Sequence, residues 1–230
     1  SYNMRPLIVV SPSVNVCGDE IKLSTAYGKA IYGAGGFMLV SDYGNMDDIL
    51  ERADGILLSG GGDIDPALTG DKADEKHQGQ ISKERDRFET KLLKRALKLD
   101  MPVLGICRGM QVIGAVGGAH IIQNMDGHMQ DADKDKTLHF VNVSEKSLLF
   151  GITGCKRLAV NSFHHQAVGK GFKGEISAVS EDGFTEAVEF NDRSFVLGVQ
   201  WHPEHLLKMN EHFNIFREFI KAADRYGERK

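Results

Sequence analysis

The sequence predicts an α/β fold in which helices cover both faces of a mostly parallel central sheet. Two observations support this class. In the N-terminal half, short apolar runs of strand length alternate with segments whose apolar residues recur at helical spacing. After residue 136 the pattern changes to short segments of alternating polarity, which is typical of antiparallel strands. We therefore expect a parallel sheet with an antiparallel C-terminal extension, in one domain over residues 1–230.

The N-terminal half alternates strands and helices in the order of βαβ units. Predicted strands are 7–10, 37–40, 56–59 and 103–106, and predicted helices are 24–34, 45–53, 83–99 and one that begins directly after Cys107. A Gly-Gly pair suits the end of the first helix, and Pro102 ends the third. On that third helix we expect Phe88, Leu92, Ala96 and Leu99 to face the core.

The C-terminal half is predicted to be mainly antiparallel. HFVNV and LAVNS have the pattern of short strands, and FTEAVEF and SFVLGVQ form a hairpin through residues 191–193. The last helix is predicted over 211–223. Four apolar residues of this helix are expected to face the core: Phe213, Phe216, Ile220 and Ala223. Two polar segments, 63–82 and 123–136, lack periodicity and are predicted as loops.

Composition argues against several classes of partner. The 28 basic and 32 acidic residues leave a net charge of −4, so we expect no binding to nucleic acid or to a membrane surface. The apolar run 7–10 is too short for a signal peptide or a membrane span. Cys17, Cys107 and Cys155 are widely spaced and odd in number, which argues against a disulfide framework and a zinc ribbon. We expect a reducing, cytoplasmic location.

One cysteine lies in a stretch typical of a catalytic nucleophile. Gly105-Ile106-Cys107-Arg108-Gly109 has the G-x-nucleophile-x-G spacing of a sharp turn between a strand and a helix. The glycines let strand and helix approach closely, and the helix N-terminus favours the thiolate form. The Arg108 N–H would then point toward a developing oxyanion. The alternative is a buried structural cysteine that acts as a small hydrophobe.

A base for this thiol is present in the segment VQWHPE. Pro203 favours an extended His202, and residues two apart on an extended chain point the same way, so His202 and Glu204 share a side. Glu204 could orient the imidazole while the other ring nitrogen faces Cys107, as in a Cys-His-Glu triad. The alternative is an ordinary surface histidine near a strand end. Gln111 lies one helical turn after the cysteine, so its amide can face the same cleft.

Charged residues of the third predicted helix allow two interpretations. Arg85 and Glu89, at i and i+4, are expected to form a surface pair worth about 0.2–0.5 kcal/mol. The alternative pairs Glu89 or Asp86 with Arg108 and so fixes the turn that carries Cys107. Under the alternative, Glu89→Gln changes activity or melting temperature.

Four motifs, in this order and spacing, resemble the class I glutamine amidotransferase-like superfamily: LLSGGGDIDP, ICRGMQ, VNSFHHQ and WHPE. The resemblance is strongest to its γ-glutamyl-γ-aminobutyrate hydrolase group of γ-glutamyl peptidases and covers residues 5–217. It implies a flavodoxin-like three-layer sandwich and a cysteine hydrolase that cleaves γ-glutamyl amide bonds through a γ-glutamyl thioester, releasing glutamate. The implied site residues are Cys107, His202 and Glu204 for catalysis, Gly61, Gly62 and Arg108 for the oxyanion hole, and Gln111, Asn161, Ser162 and His164 for substrate binding.

Two other functions stay open beside this interpretation. One is a glutaminase subunit that delivers ammonia to a separate synthetase, and the other is a non-catalytic ligand sensor. A nucleotide-binding role for SGGGD is weak, because neither a following Lys-Ser/Thr nor a GxGxxG spacing is present.

No cofactor and no metal site are predicted. The nine histidines are scattered without ligand spacing, and His164 and His165 should point to opposite faces of an extended chain. The expected partner is a small γ-glutamyl substrate, and a homodimer is the default oligomeric expectation.

Overall fold

The computed structural model describes residues 3–230 and contains one large sheet with helices on both of its faces. The helices are α1 (Thr25–Gly33), α2 (Met46–Arg52), α3 (Lys83–Lys98), α4 (Arg108–Val116), α5 (Leu148–Thr153) and α6 (Asn210–Glu228). The strands are β1 (Leu7–Ser11), β2 (Ser13–Val14), β3 (Ile21–Lys22), β4 (Phe37–Val40), β5 (Gly55–Leu58), β6 (Val103–Ile106), β7 (Ile121–Ile122), β8 (His139–Val143), β9 (Arg157–Val160), β10 (Ala167–Val168), β11 (Glu175–Ser180), β12 (Thr185–Glu189) and β13 (Val196–Val199). Short helical turns lie at Pro66–Leu68 and Pro203–His205.

The sheet has a parallel part and an antiparallel part. Its order is β4-β1-β5-β6-β13-β12-β11-β8-β9. The pairs from β4 to β13 are parallel, and those from β13 to β9 are antiparallel. The predicted class, a flavodoxin-like sandwich with an antiparallel C-terminal extension, is therefore confirmed. The carboxyl ends of the parallel strands meet at one edge, where open α/β sheets carry their sites.

Two apolar clusters form the core, one on each face of the sheet. Ile8 and Val10 of β1 belong to the cluster that contains residues of α1, α5 and α6, whereas Val9 between them belongs to the cluster that contains residues of α2, α3 and α4. This alternation follows from the period of two in a strand. All four residues of β5 and of β6 are buried, as expected for strands covered on both faces.

Serine residues cap the N-termini of three of the helices. Ser24 Oγ accepts a hydrogen bond from the Ala26 N–H, and Ser82 Oγ accepts one from the Arg85 N–H. Ser147 does the same at α5. Each satisfies an amide that would otherwise have no intrahelical acceptor, which contributes about 1 kcal/mol.

The elements differ from the prediction in a few places. Leu99 was expected to face the core but is 48% exposed, because α3 ends one residue before it. The last helix continues to Glu228, with Phe219 fully buried and Phe213 only partly so. Helix α5 and strand β11 were missed, and the register of β11 against β12 shifts twice, which obscures any alternation in its sequence.

None of the helices within residues 3–230 has the length and apolarity needed to cross a bilayer.

The three cysteines are all free thiols: Cys17 is exposed, Cys155 is partly buried and Cys107 is buried.

Candidate active site

Cys107 lies at the sharp turn between β6 and α4, at the carboxyl edge of the sheet. Its backbone has φ 54° and ψ −105°, a combination that side-chain-bearing residues rarely adopt and that costs about 1–3 kcal/mol. The Cys107 N–H donates to Val199 O at 2.8 Å, which ties the turn to β13. Arg108 is the first residue of α4, so its N–H has no intrahelical acceptor. Cys107 is 6% exposed.

The two glycines that flank Cys107 are required by close backbone approach. A Cβ at Gly105 would lie 2.6 Å from Gly109 O, and a Cβ at Gly109 would lie 2.1 Å from Leu58 O. Both distances are shorter than non-bonded atoms allow, and the obstructing atoms are backbone. Helix α4 therefore packs directly on β5 and β6, and this packing holds the turn in its strained conformation.

His202 and Glu204 follow β13, which pairs in parallel with β6. His202 Nδ1 lies 2.8 Å from Glu204 Oε2, and Glu204 is 3% exposed. A Cβ at Gly60 would lie 3.0 Å from His202 Cε1 and 3.8 Å from Cys107 Cβ. Three groups therefore meet at one point: the Cys107 thiol, the His202 imidazole and the glycine loop, residues 60–62, that follows β5. The Glu204 carboxylate lies behind the imidazole.

The surroundings of His202 favour its protonated form. Burial lowers the pKa of His202, but the carboxylate of Glu204 and the neighbouring Cys107 outweigh burial and raise the pKa well above its ordinary value of 6.5. An imidazolium has a proton that it can donate to a leaving group.

We expect Glu204→Gln to lower the pKa of His202. The amide keeps the shape of the side chain but removes the largest charge that raises this pKa. In the variant the ring therefore loses its proton at a lower pH, whereas in the wild type it stays protonated as the pH rises through 6.5. NMR titration of the His202 ring measures the shift directly. An unchanged titration would show that Glu204 does not act on the imidazole, and Glu211→Gln is a control at a partly exposed glutamate on α6.

A glutamine that the sequence analysis did not single out lies between the thiol and Gln111. Gln200 Nε2 lies 3.5 Å from Cys107 Sγ, and Gln200 Oε1 accepts from Gln111 Nε2 at 3.3 Å. Gln111 also donates to Gln166 O at 3.4 Å. The signal for Gln200 was available, because Gln200 lies two residues before His202 and residues two apart on an extended chain point the same way.

Asn161 holds the backbone of His202. Its Oδ1 accepts from the His202 N–H at 2.8 Å, and its Nδ2 donates to His202 O at 3.0 Å and to Lys134 O at 2.9 Å. Ser162 is equally buried, and its Oγ donates to His128 O at 2.8 Å. Both side chains are thus engaged with protein groups, and their role as substrate contacts stays a prediction.

His164 and His165 point in opposite directions, as predicted for adjacent residues of an extended chain. His164 is buried and lies against His128, at 3.1 Å between ring nitrogens. His165 Nε2 instead lies 2.8 Å from Asp63 Oδ1, in the loop that follows the glycines. A substrate contact by His164 stays a prediction.

The glycine loop contacts both α1 and α3. The Gly60 N–H donates to the Tyr27 hydroxyl at 3.0 Å, and the Asp63 N–H donates to Gln80 O at 2.8 Å. Between these two engaged amides lie Gly61 and Gly62, the residues assigned to the oxyanion hole by resemblance. A Cβ at Gly61 would lie 2.1 Å from Arg85 Nη1, so a side chain there would displace the Arg85 guanidinium.

Four charged residues form a buried ion cluster: Arg85, Asp86, Glu89 and Arg108. None of the four residues is more than 2% exposed, so the prediction that Arg85 and Glu89 form a surface pair is wrong. Arg108 Nη1 donates to Glu89 Oε1 at 2.6 Å, and Arg108 Nη2 donates to Asp86 Oδ1. Arg85 Nε donates to Glu89 Oε2 at 2.8 Å. The alternative interpretation, which pairs Glu89 and Asp86 with Arg108, therefore describes the structure.

This cluster connects the two segments that would form an oxyanion hole. Arg108 directly follows Cys107, while Arg85 Nη2 donates to Ser59 O at 2.9 Å and to Gly60 O at 3.0 Å. Burial raises the pKa of Glu89, but the two arginines outweigh burial and hold the pKa below its ordinary value. One carboxylate thus orients both the cysteine turn and the glycine loop.

A cleft of about 560 Å³ opens at this edge of the sheet. The glycine loop, Tyr27, His202 and Glu204 form its inner wall, and Lys22 and Lys134 lie at its rim. The volume suits a small molecule, and the rim carries positive charge.

The fold and this arrangement define a class I glutamine amidotransferase-like protein. A glutamine amidotransferase of Thermotoga maritima has the same fold, with a TM-score of 0.66 and 16% identity, covering 98% of this chain and 100% of that one. The chain belongs to the peptidase C26 family, whose sequence model matches residues 11–204.

Two curated relatives extend over most of the chain. The γ-glutamyl-γ-aminobutyrate hydrolase PuuD of Escherichia coli K12 is 31% identical, covering 86% of this chain and 87% of its own length. A protein of Rickettsia prowazekii described as glutamine amidotransferase-like is 32% identical over the same shares of the two chains. These matches confirm the resemblance noted in the sequence and show that the chain is related to enzymes.

Proposed function

We propose that this protein is a cysteine hydrolase that cleaves γ-glutamyl amide bonds through a γ-glutamyl thioester. One observation carries the proposal: Cys107 sits in a strained turn at the end of β6, beside the His202–Glu204 pair at the end of β13. Nucleophile, base and orienting carboxylate in this relation are the elements of acyl transfer. Membership of the peptidase C26 family and the similarity to a γ-glutamyl-γ-aminobutyrate hydrolase support the choice of bond.

The reaction has two stages. The Cys107 thiolate attacks the γ-carbonyl carbon, and the oxyanion accepts hydrogen bonds from the Arg108 N–H and from Gly61 or Gly62. His202 donates its proton to the leaving amine as the C–N bond breaks, which leaves a γ-glutamyl thioester. His202 then takes a proton from water, whose oxygen attacks the thioester carbonyl. Glutamate leaves and the thiolate is restored, so the reaction itself requires no cofactor.

We expect the leaving amine to carry a carboxylate, because Lys22 and Lys134 line the cleft rim. The double variant Lys22→Met, Lys134→Met should raise KM about 5-fold for γ-glutamyl-γ-aminobutyrate, which corresponds to about 1 kcal/mol from two exposed ion pairs. KM for a neutral γ-glutamyl alkylamide should stay unchanged.

The control for that variant is Lys91→Met, an exposed lysine on α3. Equal increases of KM for the charged and the neutral substrate would contradict the assignment, because the lysines would then contact the γ-glutamyl group common to both.

The proposed function is tested by glutamate release from a panel of substrates. The panel contains γ-glutamyl-γ-aminobutyrate, other γ-glutamyl amines, γ-glutamyl peptides and free glutamine. We expect the isolated chain to hydrolyse at least one γ-glutamyl amine or peptide faster than glutamine. Turnover of glutamine alone, stimulated by a synthetase, would favour an ammonia-delivering subunit. Binding of a γ-glutamyl compound without turnover would favour a sensor.

We also propose a reducing, cytoplasmic location for the protein. The mechanism needs Cys107 as a free thiol, and the two other cysteines are free as well.

A further inference from the structure

Three histidines surround a buried glutamate behind the candidate active site. Glu186 lies on β12 and is fully buried. Its Oε1 lies 3.1 Å from His128 Nδ1, 3.5 Å from His139 Nε2 and 3.6 Å from His164 Nε2. His128 Nδ1 and His164 Nε2 are 3.1 Å apart. No spacing along the chain predicts this cluster, because its members come from four separate segments.

The second nitrogen of each imidazole is held from outside the cluster. His128 Nε2 lies 2.7 Å from Asp182 Oδ2, and His164 Nδ1 lies 2.7 Å from Gln166 O. His139 Nδ1 lies 3.2 Å from the carbonyl oxygen of the next residue, Phe140. Each ring therefore directs its remaining nitrogen toward Glu186. Histidine ligands of metals are oriented in this way, by a carboxylate or a backbone carbonyl on the far nitrogen.

Hydrogen bonds alone leave the centre of the cluster unsatisfied. Both carboxylate oxygens of Glu186 and Nε2 of His139 are buried without a hydrogen-bond partner among residues 3–230. His128 Nδ1 is close to Glu186 Oε1 but not aligned to donate to it, since Oε1 has no partner by hydrogen-bond geometry. A buried carboxylate whose oxygens accept no aligned hydrogen bond is costly in a protein interior.

We propose that these four residues bind a structural zinc ion. Ligand atoms at about 2.0–2.1 Å from a tetrahedral zinc are separated by roughly 3.3 Å, and four of the six separations among these ligand atoms are between 3.1 and 3.6 Å. Ligand atoms of His128, His139 and Glu186 all lie within 4.8 Å of one another. Three imidazoles and one carboxylate suit zinc, whereas magnesium and calcium prefer oxygen ligands. His164, whose Nε2 lies 3.1 Å from His128 Nδ1 and 3.6 Å from Glu186 Oε1, would be the fourth ligand and would close the coordination sphere, as in structural sites.

The ion would fix a loop that contributes to the cleft. His128 belongs to the segment between β7 and β8, which also contains Lys134 at the cleft rim. Lys134 O accepts from Asn161, the residue that holds the backbone of His202. Zinc would therefore join this segment to β8 and β12 and stabilise the rim, without touching the thiol.

Metal analysis and thermal unfolding of the untagged full chain test the site. The protein purified from zinc-supplemented medium should contain about one zinc per chain. After chelator treatment, added Zn²⁺ should raise the melting temperature, and added Mg²⁺ should not. X-ray absorption of the zinc form should give four nitrogen or oxygen ligands at roughly 2.0–2.2 Å and no sulfur ligand.

His139→Ala is the informative variant, because His139 is the most exposed of the four ligands and its loss disturbs the core least. It should weaken zinc binding by more than the roughly 10- to 100-fold that loss of an outer partner costs. His77→Ala, at an exposed loop histidine, should bind zinc like the wild type.

Two results would overturn the proposal. The first is a purified chain without zinc whose melting temperature does not respond to Zn²⁺, which would make the cluster a metal-free hydrogen-bonded network. The second is zinc that is retained by His139→Ala and lost from Cys107→Ala, which would place the ion on the active-site thiol.

Discussion

Cys107→Ala is expected to lower kcat/KM for γ-glutamyl substrates by at least about 10⁴-fold, because the variant has no group that can form the thioester. The melting temperature should change little. Alanine and cysteine meet the same backbone strain at φ 54°, and the side chain loses only one buried sulfur atom. Loss of activity without loss of fold would assign the role to the thiol.

The control for this prediction is Cys17→Ala, since Cys17 is an exposed free thiol. It should keep full activity. Acid quenching of the wild type during turnover, followed by intact mass measurement, should show an increase equal to one γ-glutamyl group, and Cys107→Ala should show none. A Cys107→Ala variant that still turns over substrate at the wild-type rate would rule out the proposed mechanism.

Glu89→Gln is expected to lower the free energy of unfolding by about 3–5 kcal/mol, because breaking a buried ion cluster leaves unpaired charge in the interior. For a chain of this size the melting temperature should fall by roughly 10 °C. kcat/KM should fall about 10- to 100-fold as well, since Glu89 orients both the turn at Arg108 and, through Arg85, the glycine loop.

Glu84→Gln is the matched control, because Glu84 is an exposed residue on the same helix. It should change neither quantity measurably. If Glu89→Gln lowered stability but left kcat/KM of the folded fraction unchanged, the cluster would hold the core together without positioning the site.

Much of this structure could be predicted because the signals are local. Strands such as 7–10 and 103–106 are uniform apolar runs between turn residues, and both faces of these strands are buried. The glycine spacing around Cys107 and the His-x-Glu pair at 202–204 are likewise determined by neighbouring residues. Their meeting could be inferred from the rule that parallel strands end at one edge of a sheet.

The ion cluster was mispredicted because helical spacing was applied to charge alone. Arg85 and Glu89 lie on the same stripe of α3 as Phe88, Leu92 and Ala96, so the apolar stripe already indicated that both charges face inward. Weighing this stripe against the usual exposure of an i, i+4 pair would have favoured Arg108 as a partner.

The histidine cluster could not be predicted from spacing, since it is assembled by the fold from segments far apart in sequence. One clue was present. Glu186 is a carboxylate in a strand whose next three residues, Ala187, Val188 and Glu189, are also buried, and a charge in such a strand requires a partner. The sequence does not show which residues provide it.

The pairing of β6 with β13 also determines when the site can form during folding. Cys107, the proposed nucleophile, follows β6, and His202, its proposed base, comes after β13, about 95 residues later in the chain, so no local segment contains both. A chain whose C-terminal third has not yet docked therefore carries a thiol without an imidazole beside it. Such long-range pairing is slow to form, and recovery of catalysis after dilution from denaturant should track completion of the central sheet.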